Sequence, residues 1–596
     1  MEMGEIIKLE NSQFKEFQIN ILNSKKGQPY VIVNGLFLHS RYDPIKEAQR
    51  WAEVHYQKNH LHILFGFGAG YFAQELLRHL DENDFLLIIE PVAELFLEAA
   101  KFIDLHQFYA HERVLILVGF ERMEIERHLR FIINLQYAGR VEVLCSPNYD
   151  KLLPEEKNQL EKLVLEVSKL ELVNLNTIKY FAQTWQDNFL SNLYFSWESI
   201  PFRRLAGKLD CPVVIAASGP SLNKQLELLK KIKDQALIIA AGSTINPLLS
   251  GGVKPHLVVT IDGSTANLKH FEGIEIDDIP LYYALIVHKE IPAKHRGIKV
   301  VFNSDNQQLA EWADQVYGEP LGYIRGGPSV ANFCFDLARQ ISSGPICFIG
   351  QDLAYTGNKS HAEGNKYFKE VQLEPEKVDG KKYLRTKGFY GEEVITDYPF
   401  LNMKKQFEDQ LLTMRKVYGD LRPVYNATEG GVYIEGMEHI SFREFIERYC
   451  NRDVRAHLAS LYLQDIEPEQ VRDRIEKSYE EEMVKLKQVE RLCHKALDLL
   501  KGVSRQTEHV NAKILTKLDK IDEELNELLK SNLVHFAIMP EIFRINHLYL
   551  EPARETAVER TKRILDKSEA LYRSINKAVI YVTEIIEKLR EDNADE

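Results

Sequence analysis

The 596-residue chain has few cysteines, no long apolar run and no excess of basic residues. Its six cysteines are scattered, with no CxxC pair and no nearby pair of histidines, so neither a zinc signature nor a disulfide framework is present. No apolar run approaches the roughly 18 to 20 residues that span a bilayer, and we therefore expect no membrane span. The net charge of −13 argues against a general nucleic-acid-binding protein, whose binding domain is usually basic.

The amino-terminal stretch MEMGEIIKLENSQ lacks the basic and apolar segments of a secretory signal. Free thiols within apolar runs fit a reducing compartment, and together these features predict a cytoplasmic protein. A DxD pair placed like a metal–nucleotide site is also missing, so we expect no obligatory metal. What is present, 45% hydrophobic and 27% charged residues, is typical of folded globular domains.

The length predicts two to four domains, because one hydrophobic core cannot grow to this size. Strand–helix alternation predicts a Rossmann-like domain over residues 1–150, and helical spacing predicts a connector over 151–205. A second α/β domain follows over 206–450, and residues 451–596 carry helical periodicity with charges of alternating sign. We interpret this last region as an all-helical bundle, with a protein-binding or homo-oligomerising role and a purely structural role both open.

The first domain contains a glycine-rich turn at the start of a helix. Gly66, Gly68 and Gly70 follow the apolar run LHILF, and Glu90 ends the next apolar run. Such a turn can hold a phosphate or an adenosyl group while the acid holds a ribose. Glycines at these positions also simply allow a strand and a helix to pack closely. Both interpretations remain open at the level of the sequence.

The second domain has apolar runs that end in small and polar residues. PVVIAA leads into SGPSL, in which Ser221 is placed to cap a helix, and ALIIAA, HLVVTI, LYYALIV, KVVF, PICFI and PVY are the other predicted strands. Ligands bind at the carboxyl ends of parallel strands, next to helix N-termini. The strand ends therefore predict a polar rim made of Ser218, Gly219, Pro220, Ser221, Ser243, Thr244, Asp262, Asn303, Ser304, Gln351, Asp352, Asn426 and Thr428.

The segment Arg325–Gly364 concentrates these features. Arg325, Gly326, Gly327 and Ser329 form a small turn with a cation and a hydroxyl before a predicted helix, and the strand PICFI then ends in Gly-Gln-Asp. The following loop, SHAEGN, contains His361, either an acid, base or phosphate ligand or a solvated residue.

A charged insertion over 366–393 follows this segment. Its composition fits a lid, an acceptor-binding surface or a disordered loop. Asp397, which comes just after it, is either catalytic or the N-cap of the helix that begins there.

The motifs SGPSL, RGGPS, GQDLAY and NATEGGVYIEG resemble, as an ordered set, those of the motility accessory factor (Maf) proteins. These are bacterial glycosyltransferases that modify flagellin, the protein of the flagellum, and they are associated with motility. The resemblance covers most of the chain. It implies transfer of a nonulosonic acid, such as pseudaminic or legionaminic acid, from a CMP-activated donor to Ser or Thr of flagellin, with no other obligatory cofactor.

The central domain also resembles, more distantly, the bacterial CMP-sialic-acid sialyltransferases. The resemblance rests on Gly219–Leu222, on Gly327–Ser329 and on the Gly-x-Asp-x-x-Tyr segment that ends at Tyr355. Together with the Maf resemblance, it implies an N-terminal Rossmann-like domain, a central sialyltransferase-like Rossmann domain and a helical C-terminal domain. The implied donor-binding set is the polar rim without Asp352, together with Arg325, Gly326, Gly327, Ser329 and Tyr355.

The catalytic base is left open by this resemblance. Sialyltransferases carry a catalytic His just before a helix, whereas this chain has Thr396 and Asp397 in the comparable place. The candidates are therefore Asp397, His361 and Asp352. Two other functions stay open: an archaeal pterin or nucleotide pyrophosphokinase, because the core resembles those ATP-dependent enzymes too, and a non-enzymatic flagellin-binding assembly factor.

Overall fold

The computed structural model describes residues 6–8, 17–133, 135–137, 139–304, 307–373, 383–463, 467–552 and 554–594. These residues form two compact units, each built from three segments of the chain. The first unit comprises Met1–Tyr180, Leu497–Lys517 and Met539–Ser574, and the second comprises Phe181–Ala496, Leu518–Ile538 and Ile575–Glu596.

The first unit is centred on a five-stranded parallel sheet with the order β1-β7-β6-β5-β8. A separate antiparallel sheet, β2-β3-β4, contains the hairpin predicted at Asn34-Gly35, where both residues have positive φ. The strands are β1 Ile6–Lys8, β2 Ile19–Asn23, β3 Pro29–Val33, β4 Leu36–Phe37, β5 Leu61–Phe65, β6 Phe85–Glu90, β7 Val114–Val118 and β8 Val141–Cys145.

Helices cover this parallel sheet, and for that reason the strands β5, β6 and β7 are buried along their whole length. The predicted amphipathic helix after the hairpin is α1, which begins at a proline preceded by the N-cap Asp43. The helices are α1 Pro44–His55, α2 Tyr71–His79, α3 Ala93–Ala99, α4 His106–Tyr109, α5 Arg122–Ile132, α6 Tyr149–Leu152 and α7 Pro154–Tyr194.

The second unit is built on a nine-stranded sheet with the order β19-β18-β15-β10-β11-β12-β13-β14-β9, in which every pairing is parallel. The seven apolar runs predicted as strands are all found in it. The strands of this sheet are β9 Ile200–Pro201, β10 Val213–Ala216, β11 Leu237–Ala241, β12 Leu257–Thr260, β13 Leu281–Ala284, β14 Lys299–Phe302, β15 Ile346–Ile349, β18 Val424–Asn426 and β19 Glu438–His439. Two further strands, β16 Leu384–Lys387 and β17 Glu393–Thr396, lie outside it.

The chain reverses its direction of travel across this sheet at β10. From β10 it adds β11 to β14 on one side, and it then returns to place β15 on the other side. Such a reversal opens a crevice at the carboxyl ends of the two adjacent strands, which is where open α/β sheets bind ligands. The predicted polar strand ends SGPSL and GQD follow these two strands, β10 and β15.

The charged insertion over 366–393 contains the strand β16 and the first residue of β17. The strands β16 and β17 pair with each other as an antiparallel hairpin, and residues 374–382 of the insertion lie outside the described residues. The helices from α8 onwards are α8 Leu226–Lys231, α9 Ile245–Ser250, α10 Thr265–Phe271, α11 Glu290–Lys294, α12 Gln307–Tyr317, α13 Val330–Ile341, α14 Tyr398–Lys416, α15 Phe442–Tyr449, α16 Arg455–Ser460, α17 Pro468–Lys501, α18 Ala512–Leu528, α19 His535–Leu548 and α20 Ala557–Ala594.

The carboxyl-terminal region is helical, as predicted, and the described residues after Ser460 contain no strand. The helices α7, α17, α18, α19 and α20 each contribute residues to both units. Within the described part of the chain, no helix combines the length and the apolar character needed to cross a membrane.

Candidate functional site at the carboxyl edge of the nine-stranded sheet

A pocket of about 220 Å³ lies at the crevice between the carboxyl ends of β10 and β15. The N-terminus of α13, the end of β11, the loop after residue 359 and the first turn of α14 complete its wall. Nine of the predicted site residues line it, namely Ser218, Gly219, Pro220, Ser243, Thr244, Ser329, Gln351, Asp352 and His361. The structure therefore brings together side chains that are up to 143 positions apart, from Ser218 to His361.

The turn after β10 is held against the end of β15. Gly219 donates its N–H to the carbonyl of Gly350 (2.8 Å), and a Cβ at Gly219 would lie closer than 3.0 Å to both Gly350 and Asp352. Only glycine permits this approach. The residues after the turn, Pro220–Lys224, form a short 3-10 helix and not the predicted α-helix. Ser221 does not cap this helix, because Gly219 is the N-cap and the Ser221 side chain is buried.

Asp352 is the partner of the buried Ser221. The Ser221 hydroxyl donates to Asp352 Oδ1 (2.7 Å), and the Ser221 N–H donates to Oδ2 (3.2 Å). Asp352 is almost completely buried, and burial raises the pKa of its carboxyl group. Gly431 packs so closely on the Asp352 backbone that a Cβ there would clash. These contacts make Asp352 a brace between the β10 and β15 turns.

The first turn of α13 supplies backbone N–H groups to the pocket. Ser329 is the N-cap, and Asn332 Oδ1 accepts hydrogen bonds from both the Ser329 hydroxyl (2.9 Å) and the Ser329 N–H (3.2 Å). Val330 and Ala331, the first two helical residues, also line the pocket. The first N–H groups of a helix have no partner inside the helix, and the helix dipole favours an anion there.

Gln351 presents a hydrogen-bond acceptor to the same pocket. Gln351 is only 4% exposed, and its side-chain oxygen Oε1 has no hydrogen-bond partner among the residues that the structure describes. Its backbone N–H donates to Thr428 Oγ1 (3.0 Å), and the Thr428 N–H donates to Asn426 Oδ1 (3.1 Å). Asn426 and Thr428 are completely buried, so these two predicted residues hold the backbone of Gln351 in place and do not themselves line the pocket.

The loop after β15 contributes a residue that the sequence analysis missed. Asn365 is buried, and its Nδ2 donates to Ser218 Oγ (2.6 Å) and to the carbonyl of Ser243 (3.4 Å). The Ala362 N–H donates to the carbonyl of Ser218 (2.9 Å). The loop is thereby fastened to the ends of β10 and β11. The only sign of this role in the sequence was the Asn at the end of SHAEGN. No nearby sequence pattern indicates that it contacts Ser218.

His361 lies on this fastened loop and is half-buried. Its Nδ1 is 3.1 Å from the Ser360 hydroxyl. Burial lowers the pKa of the imidazole, and a backbone hydrogen bond at Tyr367 opposes this effect. Because the lowered pKa falls below the usual 6.5 of histidine, the ring is neutral at pH 7 and able to accept a proton.

Asp397 is the N-cap of α14, as one of the two interpretations proposed. Its Oδ1 accepts the N–H of Phe400 (2.9 Å), and its Oδ2 accepts the hydroxyl of Tyr355 (2.7 Å). Burial, together with Asp397, raises the pKa of Tyr355. Both carboxylate oxygens of Asp397 therefore have partners, and the pair links the loop after β15 to the end of the β16–β17 hairpin.

The remaining predicted residues lie elsewhere in the second unit. Asn303, Arg325, Gly326 and Gly327 line a separate pocket of about 850 Å³. Ser304 follows Asn303 at the end of β14.

The two glycines of this group and Asp262 have local structural reasons for their identity. A Cβ at Gly326 would meet the Phe333 ring, and a Cβ at Gly327 would meet the Gln406 side chain. Asp262 is exposed, and its Oδ1 accepts the N–H of Ser264 (2.8 Å) in the turn before α10.

The glycine-rich turn of the first unit is occupied by side chains of the protein itself. The Tyr149 ring packs on Gly66, the His39 ring packs on Gly68, and Glu90 Oε2 accepts the N–H groups of Phe67 (2.8 Å) and Gly68 (3.1 Å). The Tyr149 hydroxyl donates to the same Glu90 oxygen. Burial raises the pKa of Glu90 and lowers that of His39 to about 3. Side chains of the protein thus pack directly on these glycines, in agreement with the close-packing interpretation.

Comparison with known proteins gives two matches. Residues 187–358 match the family described as 6-hydroxymethylpterin diphosphokinase MptE-like. The MAf glycosyltransferase from Magnetospirillum magneticum AMB-1, a solved structure, is 15% identical, with a TM-score of 0.59 over 96% of this chain and 93% of that chain. Curated protein sequences give no match. The chain thus shares its fold with a MAf glycosyltransferase along nearly its whole length, and the predicted resemblance to the Maf proteins is confirmed in the fold.

Proposed function

We propose that the chain is a glycosyltransferase that moves a nonulosonic acid, such as pseudaminic or legionaminic acid, from CMP to a Ser or Thr hydroxyl of flagellin. The observation that carries this proposal is the polar pocket at the β10–β15 reversal, in a chain that shares its fold with a MAf glycosyltransferase over 96% of its length. A CMP-sugar of this class bears two anions, the phosphate and the sugar carboxylate.

The pocket suits such a donor in its charge and in its hydrogen-bonding groups. The N–H groups of the first turn of α13, which a helix cannot pair internally, favour one anion, and the turn Ser218–Ser221 supplies further backbone donors. Gln351 Oε1, buried and without a partner among the described residues, accepts a hydrogen bond from a hydroxyl or N–H of the sugar. A ligand that left this oxygen unpaired would be bound less tightly.

His361 is the residue that we assign as the general base. It lines the pocket, and its lowered pKa keeps the ring neutral at pH 7. In the proposed step the acceptor oxygen forms a bond to the anomeric carbon while the bond from that carbon to the phosphate oxygen breaks. His361 takes the hydroxyl proton, and CMP leaves with the electron pair of the broken bond. Because the phosphate is stable as an anion, this leaving group needs no proton. We expect no obligatory metal, and transfer is expected to persist in EDTA.

The test uses the purified full chain, a CMP-nonulosonic acid and unmodified flagellin, with the mass of flagellin as the readout. The wild type is expected to add the mass of one or more sugars. His361→Gln is expected to lower the rate by about 10²- to 10⁴-fold, the usual worth of a general base. Asp397→Asn is the matched control, because Asn also caps a helix, and it should retain transfer. Absence of transfer by the wild type contradicts the function, and full activity of His361→Gln contradicts the assigned base.

The second candidate function is diphosphate transfer from ATP, favoured by the match of residues 187–358 to the MptE-like family. The matched stretch includes the turn Ser218–Ser221 and the start of α13, so the same pocket would hold the nucleotide. Melting of the full chain with CMP and with ATP separates the two functions. A rise in melting temperature with millimolar CMP alone supports the glycosyltransferase, whereas a rise with ATP alone supports the kinase.

A further inference from the structure

The larger pocket of the second unit has its own chemistry. It has a volume of about 850 Å³ and is bounded by α12, by α13 and by the segment from Tyr323 to Gly327. Tyr418, which comes two residues after the end of α14, completes its boundary. Its polar lining residues are Asn303, Gln307, Glu311, Asp314, Arg325, Asp336, Arg339 and Gln340. A pocket of this size exceeds what a monosaccharide needs and matches the usual range for a ligand site.

One wall offers a buried hydrogen-bond acceptor, Asn303 Oδ1, that has no partner among the described residues. Asn303 is 2% exposed, and its Nδ2 donates to Asp314 Oδ1 (2.7 Å). The N–H of Leu321 also donates to Asp314 Oδ1 (2.8 Å), so both hydrogen bonds to this carboxylate fall on one oxygen. An oriented carboxylate beside an unpaired buried amide oxygen is suited to a ligand that donates hydrogen bonds, such as a hydroxyl or an amide.

Another part of the lining offers a positive charge. Arg325 is exposed, and its Nη1 donates to the Tyr418 hydroxyl (2.8 Å), a neutral partner. Arg339, by contrast, donates to Asp336 (2.8 Å) and lies 4.4 Å from the centre of the Tyr418 ring. Arg339 is therefore neutralised and fixed, whereas no ion pair of Arg325 is found among the described residues. Arg325 is available to a carboxylate of a ligand.

Two exposed apolar residues, here called the apolar rim, are neighbours in the sequence of the lining residue Tyr418. Val417 is 70% exposed and Leu421 is 81% exposed, and they flank Tyr418 in the sequence. The aromatic rings of Tyr323 and Tyr418 are also partly exposed at the pocket itself. Clustered aromatic and aliphatic side chains beside an available arginine are typical of surfaces that bind other proteins.

We propose that this pocket and its apolar rim bind the acceptor polypeptide, in a segment that combines a hydroxyl side chain, a carboxylate and an apolar residue. A hydroxyl other than the one that is glycosylated, or a peptide N–H, meets Asn303 and Asp314, the carboxylate meets Arg325, and the apolar residue covers Leu421. A polypeptide is favoured over a free saccharide because only the former supplies aliphatic groups for the exposed rim. The proposal rests on the proposed function, since flagellin is the acceptor in both.

The test measures binding of unmodified flagellin from the same bacterium to the immobilised full chain, without a donor. Leu421→Glu and Arg325→Gln are each expected to raise the Kd at least tenfold. Leu463→Glu, at an equally exposed leucine (81%), and Arg443→Gln, at an exposed arginine in α15, should leave it unchanged. All four variants should keep the melting-temperature rise with CMP, which shows that they are folded.

Three results would overturn the proposal. They are a flagellin Kd unchanged in Leu421→Glu and Arg325→Gln, a loss of the CMP response in these variants with flagellin binding intact, and displacement of flagellin by free nonulosonic acid. Failure of the function is distinguishable from failure of this site. The wild type could show no CMP response and no transfer while its flagellin binding still depends on Leu421 and Arg325. That result would support the flagellin-binding site and contradict the glycosyltransferase function.

Discussion

The two units of the chain use the same local device, a glycine-containing turn after a buried parallel strand, and reach opposite outcomes. In the first unit, Tyr149 and His39 fill the space beside Gly66 and Gly68, and Glu90 binds the backbone of the turn. In the second unit, Gly219 brings the turn against Gly350 and the adjoining space stays open as a pocket. A strand-end turn is therefore a ligand site only where no side chain from elsewhere in the chain occupies it.

Opening the filled turn should have the largest effect on stability. Tyr149→Ala removes a fully buried ring and leaves Glu90 and the Gly68 N–H without the Tyr149 hydroxyl, and we expect a loss of about 3 to 5 kcal/mol. Tyr149→Phe keeps the ring and should lose about 1 to 3 kcal/mol. Thermal unfolding provides the measurement. The CMP response should survive in the Phe variant, and its loss there would instead make the first turn the nucleotide site.

Lowering the pH should weaken the first unit through His39. Burial lowers the pKa of folded His39 to about 3, whereas the unfolded chain takes up this proton near 6.5. Stability is therefore unaffected above pH 6.5 and falls below it, by about 1.4 kcal/mol per pH unit down to the folded pKa, or roughly 3 kcal/mol at pH 4.

His39→Gln isolates this contribution, because Glu90, whose raised pKa acts in the opposite direction, is present in both proteins. The difference in melting temperature between the wild type and the variant is expected to shift in favour of the variant as the pH falls from 6.5 to 4. A difference that does not change with pH would contradict the account of a neutral, buried His39.

Closing the open turn should abolish ligand binding at a smaller cost in stability. Gly219→Ala places a Cβ closer than 3.0 Å to Asp352 and Gly350, and we expect a loss of about 1 to 3 kcal/mol and of the CMP response. Gly502→Ala, where the nearest atom to a Cβ is 3.6 Å away, is the control. A normal CMP response in Gly219→Ala would show that the β10 turn does not contact the nucleotide.

The smallest effect concerns the N-cap of α14. Asp397→Ala removes the acceptor of the Phe400 N–H and of the Tyr355 hydroxyl, and should cost about 1 kcal/mol. Asp397→Asn retains the cap and should lower the free energy of unfolding by only a few tenths of a kcal/mol. Equal stability of the two variants, measured by thermal unfolding, would contradict the capping role.

Seven strands of the nine-stranded sheet were predictable because each is a continuous apolar run that is buried on both faces. The two-residue strands β9 and β19 and the hairpin β16–β17 were not predicted. Ile200–Pro201 is too short to show a pattern, and the hairpin strands lie in a charged stretch where pairing with each other replaces burial as the source of their stability.

The site was predictable in its residue types but not in its grouping. Ser218, Gln351 and His361 were expected at strand ends or in the next loop and do share a pocket. Asn303 and Arg325 belong to another pocket, and the contact of Asn365 with Ser218 joins residues 147 positions apart. Such partnerships depend on tertiary contacts, and no local pattern of residues encodes them.

The central claim, that the nucleotide binds in the second unit and not at the glycine turn of the first, is tested most directly by hydrogen exchange of the full chain with and without CMP. The account predicts slower exchange on CMP addition over residues 216–222, 329–333 and 349–352, with no change over 65–72. Slower exchange over 65–72, or no change in any of these segments at millimolar CMP, would contradict it.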